Sequence, residues 1–151
     1  MTLNVFVYGT LKPGGRYHAA YCREHLLEAV PAIAPGILYH LPHPHHYPAM
    51  TQGDRPVRGF LLRFSNNTVL SKLDALEDYD PNRATKDNLY DRRLITTQIT
   101  PPLPNTNSSV PTQKEAQTVL AWAYFMESDT VRALGGIQVE SNNWNAADFA
   151  R

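Results

Sequence analysis

The sequence of 151 residues has few of the features that indicate secretion, membrane insertion or binding to nucleic acid. Its one cysteine, Cys22, cannot form an intramolecular disulfide, which favours a reducing compartment and a role as a small buried residue. Fourteen basic residues offset fourteen acidic ones, so the net charge gives no reason to expect nucleic acid or an anionic membrane as a partner.

Long apolar runs and a basic N-terminal region are also missing. No stretch approaches the roughly 20 apolar residues that cross a bilayer, and the first apolar run is too short for a secretory signal. The length suits one domain that buries a core without disulfides. We therefore expect a cytoplasmic protein with a single domain over residues 1–151, as a monomer or weak homodimer, with no membrane or nucleic-acid partner.

Strand patterns outnumber helix patterns along the chain. Apolar and β-branched runs predict strands at 3–8, 30–38, 57–64, 90–100 and 118–126. Prolines make the second of these a bent or edge strand. Helices are predicted at 17–27, 68–78 and 129–134, with a turn at Gly135 and Gly136. Because strands and helices do not alternate regularly, the pattern indicates an α+β fold with a mixed, strongly curved sheet.

The segment at 101–117, PPLPNTNSSVPTQKEAQ, is rich in proline and small polar residues. It is predicted to be a mobile surface loop within the single domain, and we expect no chemistry from it.

The glycine-bearing stretch VYGTLKPGGR follows the first predicted strand. Gly9 and Gly14 have P-loop spacing, but GRY follows where Gly-Lys-Ser/Thr is required, and no dinucleotide fingerprint is present. Two interpretations remain. The glycines could only permit turns, or the amides of Gly9, Thr10 and Leu11 could donate to an anionic or carbonyl oxygen of a ligand.

A second candidate feature is the carboxylate of Glu77. On a helix over 68–78, Glu77 projects between the directions of Leu70 and Leu73, whereas Asp78 points away and Asp74 lies to the side. Burial would raise the pKa of Glu77 towards neutrality, which suits a general base. Alternatively, a glutamate in the last helical turn could simply reach solvent.

Together, YGTL at 8–11 and LDALE at 73–77 resemble the gamma-glutamylcyclotransferase-like family in order and spacing. Weaker matches include Tyr47, Tyr90 and Tyr124. Many members have glycine after the glutamate, where this chain has Asp78, which raises the question of substrate fit.

The resemblance implies a barrel-like α+β fold with a few flanking helices and a cavity between loop and glutamate. It also implies a reaction in which the α-amine of a γ-glutamyl group attacks its own side-chain amide, releasing 5-oxoproline and an amine or amino acid. Glu77 is the implied catalytic acid/base, and neither metal nor organic cofactor is required. The substrate-binding residues are then Tyr8, Gly9, Thr10, Leu11, Tyr47, Tyr90 and Tyr124.

Two rival functions stay open. A non-catalytic module could bind a small carboxylated amino acid in the same pocket, and an ordinary amidase would release glutamate in place of 5-oxoproline. The leaving group, whether an amino acid, an amine or a modified metabolite, also stays open.

The histidine-rich stretch YHLPHPHHYPAM invites a metal-site hypothesis. Prolines interrupt the segment, and neither an acidic residue nor a cysteine lies nearby, so a polar loop beside the pocket is favoured. On the predicted strand at 90–100, Arg92 and Arg93 point to opposite faces, so that one could pair with an acid internally.

Overall fold

The computed structural model describes residues 2–100 and 117–149. The predicted loop at 101–117 lies, apart from Gln117, outside the described residues.

The described strands form a sheet that closes on itself. The six strands are β1 (Leu3–Val7), β2 (Leu26–Leu41), β3 (Tyr47–Phe64), β4 (Asp91–Ile99), β5 (Thr118–Phe125) and β6 (Ile137–Gln138). Their order is β3-β1-β5-β4-β2-β6, and β2 also pairs with β3, so five strands close into a barrel and β6 extends one side of β2. Only β1 and β5 run parallel, which confirms the predicted mixed and strongly curved sheet.

Strands β2 and β3 form one long hairpin that makes up much of the barrel wall. They pair from Leu26 opposite Phe64 to Leu41 opposite Tyr47, with a register shift after Gly36 that bends the pair. The expected bend in β2 is therefore confirmed, but the alternative of an edge strand is wrong. Strand β2 pairs with β3 on one side and with β4 and β6 on the other, because closure of the barrel leaves it no free edge.

Three short α-helices flank the barrel, namely α1 (His18–Cys22), α2 (Thr68–Leu76) and α3 (Ser128–Ala133). The helix predicted at 17–27 is too long. His25 adopts a left-handed φ of 69°, and Leu26 joins the pairing of β2, so the chain leaves the helix after one turn. No helix in the described part of the chain is long and apolar enough to span a bilayer.

Alternating residues of β1 face two separate apolar clusters. Val5 and Val7 belong to the first cluster, which also contains Val69 and Leu73 of α2. Phe6 belongs to the second cluster, which lies inside the barrel and contains no α-helical residue. The C-terminal end of β1 therefore lies at the junction between the barrel and α2, and the candidate site lies at the same junction.

Candidate active site

In the loop after β1, three consecutive residues use their carbonyl groups in hydrogen bonds within the protein, whereas their amides have no acceptor among the described residues. The carbonyls of Gly9 and Thr10 accept from the amides of Lys12 (3.0 Å) and Tyr17 (2.9 Å), and the carbonyl of Leu11 lies 2.8 Å from Nδ1 of His18. Among the described residues, no acceptor bonds the amides of Gly9, Thr10 or Leu11. These three consecutive N–H groups are therefore unpaired within the described chain, and they belong to residues that line the cavity described below.

Glycine is required at position 9 by contact with another strand. A Cβ at Gly9 would clash with the ring of Pro48 in β3, whereas the left-handed φ of 85° belongs to Gly14 further along the loop. The expectation that Gly9 serves a turn is therefore incomplete. Its missing side chain lets the loop lie directly against β3.

Helix α2 ends one residue before Glu77, earlier than the predicted end at 78. The amide of Asp78 donates to Ala75 (3.2 Å) and that of Tyr79 to Asp74 (2.9 Å), the two bonds of a Schellman motif. This arrangement makes Glu77 the C-cap, whose amide still donates to Leu73 across 2.9 Å. Glu77 therefore keeps the direction that helical periodicity predicts.

Asp78 occupies the left-handed position at which glycine is favoured, with a φ of 57°. Its side chain is exposed, and Arg83 donates to both its carbonyl (2.8 Å) and its Oδ1 (3.1 Å). Arg83 thus holds the turn in place at the carboxyl end of α2, where a cation is favourable. The absence of glycine at position 78 therefore does not change the direction in which the side chain of Glu77 projects.

Loop, helix end and strands meet around a cavity of about 240 Å³. Ligand pockets of drug size occupy roughly 300–1,000 Å³, so this cavity suits a group no larger than an amino acid. It brings together all eight residues that the sequence singles out: Tyr8, Gly9, Thr10, Leu11, Tyr47, Glu77, Tyr90 and Tyr124. We call it the first cavity. The functional roles assigned to these residues remain predictions.

The cavity has six further lining residues that the sequence patterns did not assign to the site, namely Phe6, Val7, Tyr17, Pro48, Leu76 and Leu89. Pro48 adjoins Tyr47, and Leu76 lies within the LDALE motif, so the motifs themselves gave a signal for both. Leu89 adjoins Tyr90, and the amide of Tyr17 donates to the carbonyl of Thr10, so both lie beside residues that the sequence singles out.

Three tyrosine hydroxyls of the first cavity donate their protons to protein acceptors. Tyr8 donates to the carbonyl of Tyr124 (2.7 Å), Tyr90 to the carbonyl of Pro48 (2.7 Å), and Tyr124 to Oδ1 of Asp74 (2.7 Å). Burial raises the pKa of each of these tyrosines, so they stay protonated at neutral pH. A ligand group that contacts their oxygens must therefore be a hydrogen-bond donor, such as an amine.

Burial raises the pKa of Glu77 to about 7. Glu77 is half-buried, and no hydrogen bond from a described residue to its carboxylate offsets the effect of burial on the charged form. The negative charge of Glu77 also contributes to the raised pKa values of Tyr8, Tyr47, Tyr90 and Tyr124, which shows how closely the tyrosines surround it.

An ion pair beneath the first cavity fixes α2 to the barrel. Nε of Arg92 in β4 lies 2.9 Å from Oδ1 of Asp74, and both side chains are largely buried. The guanidinium also stacks 4.4 Å from the ring centroid of Trp122. Arg93 points to the other face, where it pairs with Asp91 and Glu127. The structure confirms that one of the two arginines pairs internally.

The histidine-rich stretch does not assemble a metal site in the part of the chain described here. No group of three or more His, Cys, Asp or Glu side chains among residues 2–100 and 117–149 is placed to hold a metal ion. His40 is buried, accepts a hydrogen bond at Nδ1 from the indole of Trp144 (3.0 Å) and stacks on Phe149. Cys22 is also buried, and burial raises its pKa to about 12, so its thiol is unreactive.

Comparisons with known proteins agree with this geometry. A family model described as gamma-glutamyl cyclotransferase, AIG2-like, matches residues 5–146. Similar folds occur in an AIG2-like protein from Mus musculus (20% identity, TM-score 0.56, covering 83% of this chain and 77% of that one) and in a uropathogenic E. coli-specific protein (12%, 0.59, 98% and 96%). A gamma-glutamyl cyclotransferase specific to glutathione from yeast is also similar (13%, 0.53, 85% and 70%). The search of curated proteins gives no match.

At these identities the solved structures establish the fold alone, and the family model establishes membership. The chain belongs to the gamma-glutamyl cyclotransferase, AIG2-like family, as its motifs indicated. The predicted α+β fold with a barrel-like sheet and a few flanking helices is confirmed.

Proposed function

We propose that this protein is a 5-oxoproline-forming enzyme in which Glu77 acts as general acid and base on a γ-glutamyl substrate. The observation that carries the proposal is that Glu77, a desolvated carboxyl group with a pKa of about 7, and three residues with free amides line the same small cavity.

In the proposed reaction, the α-amine of the γ-glutamyl group attacks the carbon of its own side-chain amide. A new carbon–nitrogen bond closes the five-membered ring, and Glu77 accepts the proton that the amine loses. Glu77 then gives this proton to the leaving nitrogen as the original amide bond breaks. The products are 5-oxoproline and a free amine or amino acid, and no water is consumed.

The electrostatics of Glu77 suit both transfers. A carboxyl group of pKa about 7 is present in both protonation states near neutral pH, so it can accept the proton of the α-amine and return it to the leaving nitrogen within one turnover. Because nucleophile and electrophile belong to one molecule, holding the right conformer supplies effective molarities of about 10⁵–10⁸ M, and little further machinery is needed.

The two walls of the first cavity suit the two ends of a glutamyl group. The amides of Gly9, Thr10 and Leu11 would bind the oxyanion that develops on the attacked carbonyl, or the α-carboxylate. The hydroxyl oxygens of Tyr90 and Tyr124 present lone pairs, which fits the α-amine as donor. The first cavity thus complements a zwitterionic head group.

Incubation of the purified protein with a panel of γ-glutamyl compounds, followed by mass spectrometry, tests this proposal. We expect 5-oxoproline and the matching amine in equal amounts. Release of glutamate would identify an amidase instead, and binding of 5-oxoproline without turnover of any compound would identify a non-catalytic binding module.

A further inference from the structure

A second cavity, of about 690 Å³, adjoins the first along the loop after β1. Gly9 and Thr10 line both cavities. Tyr17 lines the first, while its neighbour Arg16 lines the second. The loop that offers free amides is therefore the boundary between the two cavities.

The second cavity has positive charge and no acidic lining residue in the described structure. Lys12 is partly buried within it, and its ammonium donates to Oδ1 of Asn143 (3.2 Å) and to the carbonyl of Trp144 (2.6 Å). An ammonium has three N–H donors, so one remains for a ligand. Arg16 adds a second cation at the exposed rim.

Burial lowers the pKa of Lys12, which means that its charge is poorly solvated. No carboxylate of the described residues pairs with it. A ligand anion would supply this missing partner. Phe60 and Phe149 add an apolar wall that could contact the side chain of the same ligand.

We infer that the second cavity binds the leaving portion of the substrate and that Lys12 selects leaving groups that carry a carboxylate. This inference rests on the proposed function. The glutamyl group occupies the first cavity, the reacting amide bond lies beside Gly9 and Thr10, which line both cavities, and the released amino acid lies in the second cavity with its carboxylate on Lys12. The preferred substrates are then γ-glutamyl amino acids or peptides, over γ-glutamyl amines that lack a carboxylate.

Two matched substrates test the inference. γ-Glutamyl-L-alanine and γ-glutamyl-ethylamide differ only by the carboxylate of the leaving group. For the wild type we expect kcat/KM to favour the alanine compound by about tenfold or more, because hydrogen bonds to charged groups are the strong ones. Lys12→Met, which keeps the length of the side chain and removes the charge, should bring this ratio close to one. Lys86→Met, at an exposed position that lines neither cavity, should leave the ratio unchanged.

Calorimetric binding of the same two compounds to Glu77→Gln and to Glu77→Gln/Lys12→Met separates this inference from the proposed function. If the wild type turns over both compounds equally well, or if Lys12→Met keeps the preference, the leaving-group site is overturned while the reaction stands. A third outcome is that neither compound reacts, but the alanine compound binds about tenfold more tightly than the ethylamide compound, and does so only when Lys12 is present. In that case the proposed reaction is overturned and the carboxylate site is supported. Equal binding of both compounds in the absence of turnover overturns both.

Discussion

The hydroxyl of Tyr124 donates a hydrogen bond to Oδ1 of Asp74 across 2.7 Å and thereby ties α2 to strand β5. The same oxygen lies 2.9 Å from Nε of Arg92 in β4. Asp74 precedes Glu77 by less than one helical turn, so this cluster fixes the end of α2 from which Glu77 enters the first cavity. The aspartate of the LDALE motif is thus a positioning residue.

Removal of the charge at Asp74 should destabilise the protein more than removal of the Tyr124 hydroxyl. Tyr124→Phe deletes one hydrogen bond to a charged acceptor, which contributes about 1.5–3 kcal/mol. Asp74→Ala also leaves Arg92 largely buried without a carboxylate, which costs more. Urea denaturation measures both. Asp129→Asn, in an exposed ion pair with Arg132, serves as control and should leave the midpoint unchanged. Equal effects of Asp74→Ala and Asp129→Asn would contradict the positioning role.

The pH dependence of turnover should report the ionisation of Glu77. Only the carboxylate accepts a proton, so kcat should rise with pH through an apparent pKa of about 7 and then level off. An NMR titration of the substrate amine gives its pKa separately, so that the part of the pH–rate profile caused by the substrate can be distinguished from the part caused by Glu77. A kcat that is constant from about pH 5 to 9 would show that no group of this pKa acts in the bound complex.

Glu77→Gln should stabilise the fold above neutral pH. Folding raises the pKa of Glu77 from about 4.5 to about 7, so the wild-type folded state binds the proton more tightly than the unfolded state. The stability that this carboxyl group contributes is fully present below about pH 4.5 and is lost as the pH rises to about 7. The advantage of the variant should therefore grow across that window, by up to about 3 kcal/mol.

Denaturation curves at several pH values measure this difference. Glu140→Gln, at an exposed position, serves as the control and should show no such dependence. A difference between Glu77→Gln and wild type that stays constant with pH would mean that the carboxyl group is solvated.

Glycine at position 78 should stabilise the protein by about 0.5–1 kcal/mol, because glycine adopts the left-handed conformation without steric cost. The lost ion pair with Arg83 is partly exposed and offsets little of this gain. Asp78→Val should instead destabilise, by about 1–2 kcal/mol, because a β-branched side chain is strained at this φ. Thermal unfolding measures both variants. If Asp78→Gly is clearly less stable than wild type, the carboxylate of Asp78 contributes more than its conformation costs.

Gly9→Ala should weaken substrate binding, because the new methyl group would push the loop away from Pro48 and displace the free amides. Gly135→Ala, in a turn that lines neither cavity, is the control. Its Cβ would lie at an ordinary contact distance of 3.7 Å from Pro42, and the substitution strains only the turn. Calorimetry with a γ-glutamyl ligand compares the two variants. Binding by Gly9→Ala as tight as binding by Gly135→Ala would contradict the role of the Gly9 contact.

Local sequence patterns predicted β1, β4, β5 and the direction of Glu77 well, since these follow from short-range periodicity, but they missed residues 47–56 of β3 and both ends of β2. Glu77 has the direction predicted from helical periodicity although α2 ends at Leu76, because the Schellman motif continues the helical path through the C-cap. Asp78 adopts a left-handed φ, which glycine adopts most readily and aspartate less often, so helical periodicity alone did not predict it.

Features set by closure of the barrel could not be read from the sequence. Prolines suggested an edge for β2, but Pro35 pairs opposite Pro56 within the long hairpin, where the strands bend. Glu77 meets the loop at 8–11, and Lys12 reaches Trp144, across large separations along the chain. These contacts depend on tertiary packing, which local periodicity does not encode.

The most direct test of the central claim is the rate of 5-oxoproline formation by Glu77→Gln on the best substrate of the panel, with ligand binding measured on the same sample. The account predicts that turnover falls by at least about 10²–10⁴-fold while the dissociation constant changes little, because the amide keeps the shape and loses the proton acceptor. Release of 5-oxoproline at a near wild-type rate would contradict it.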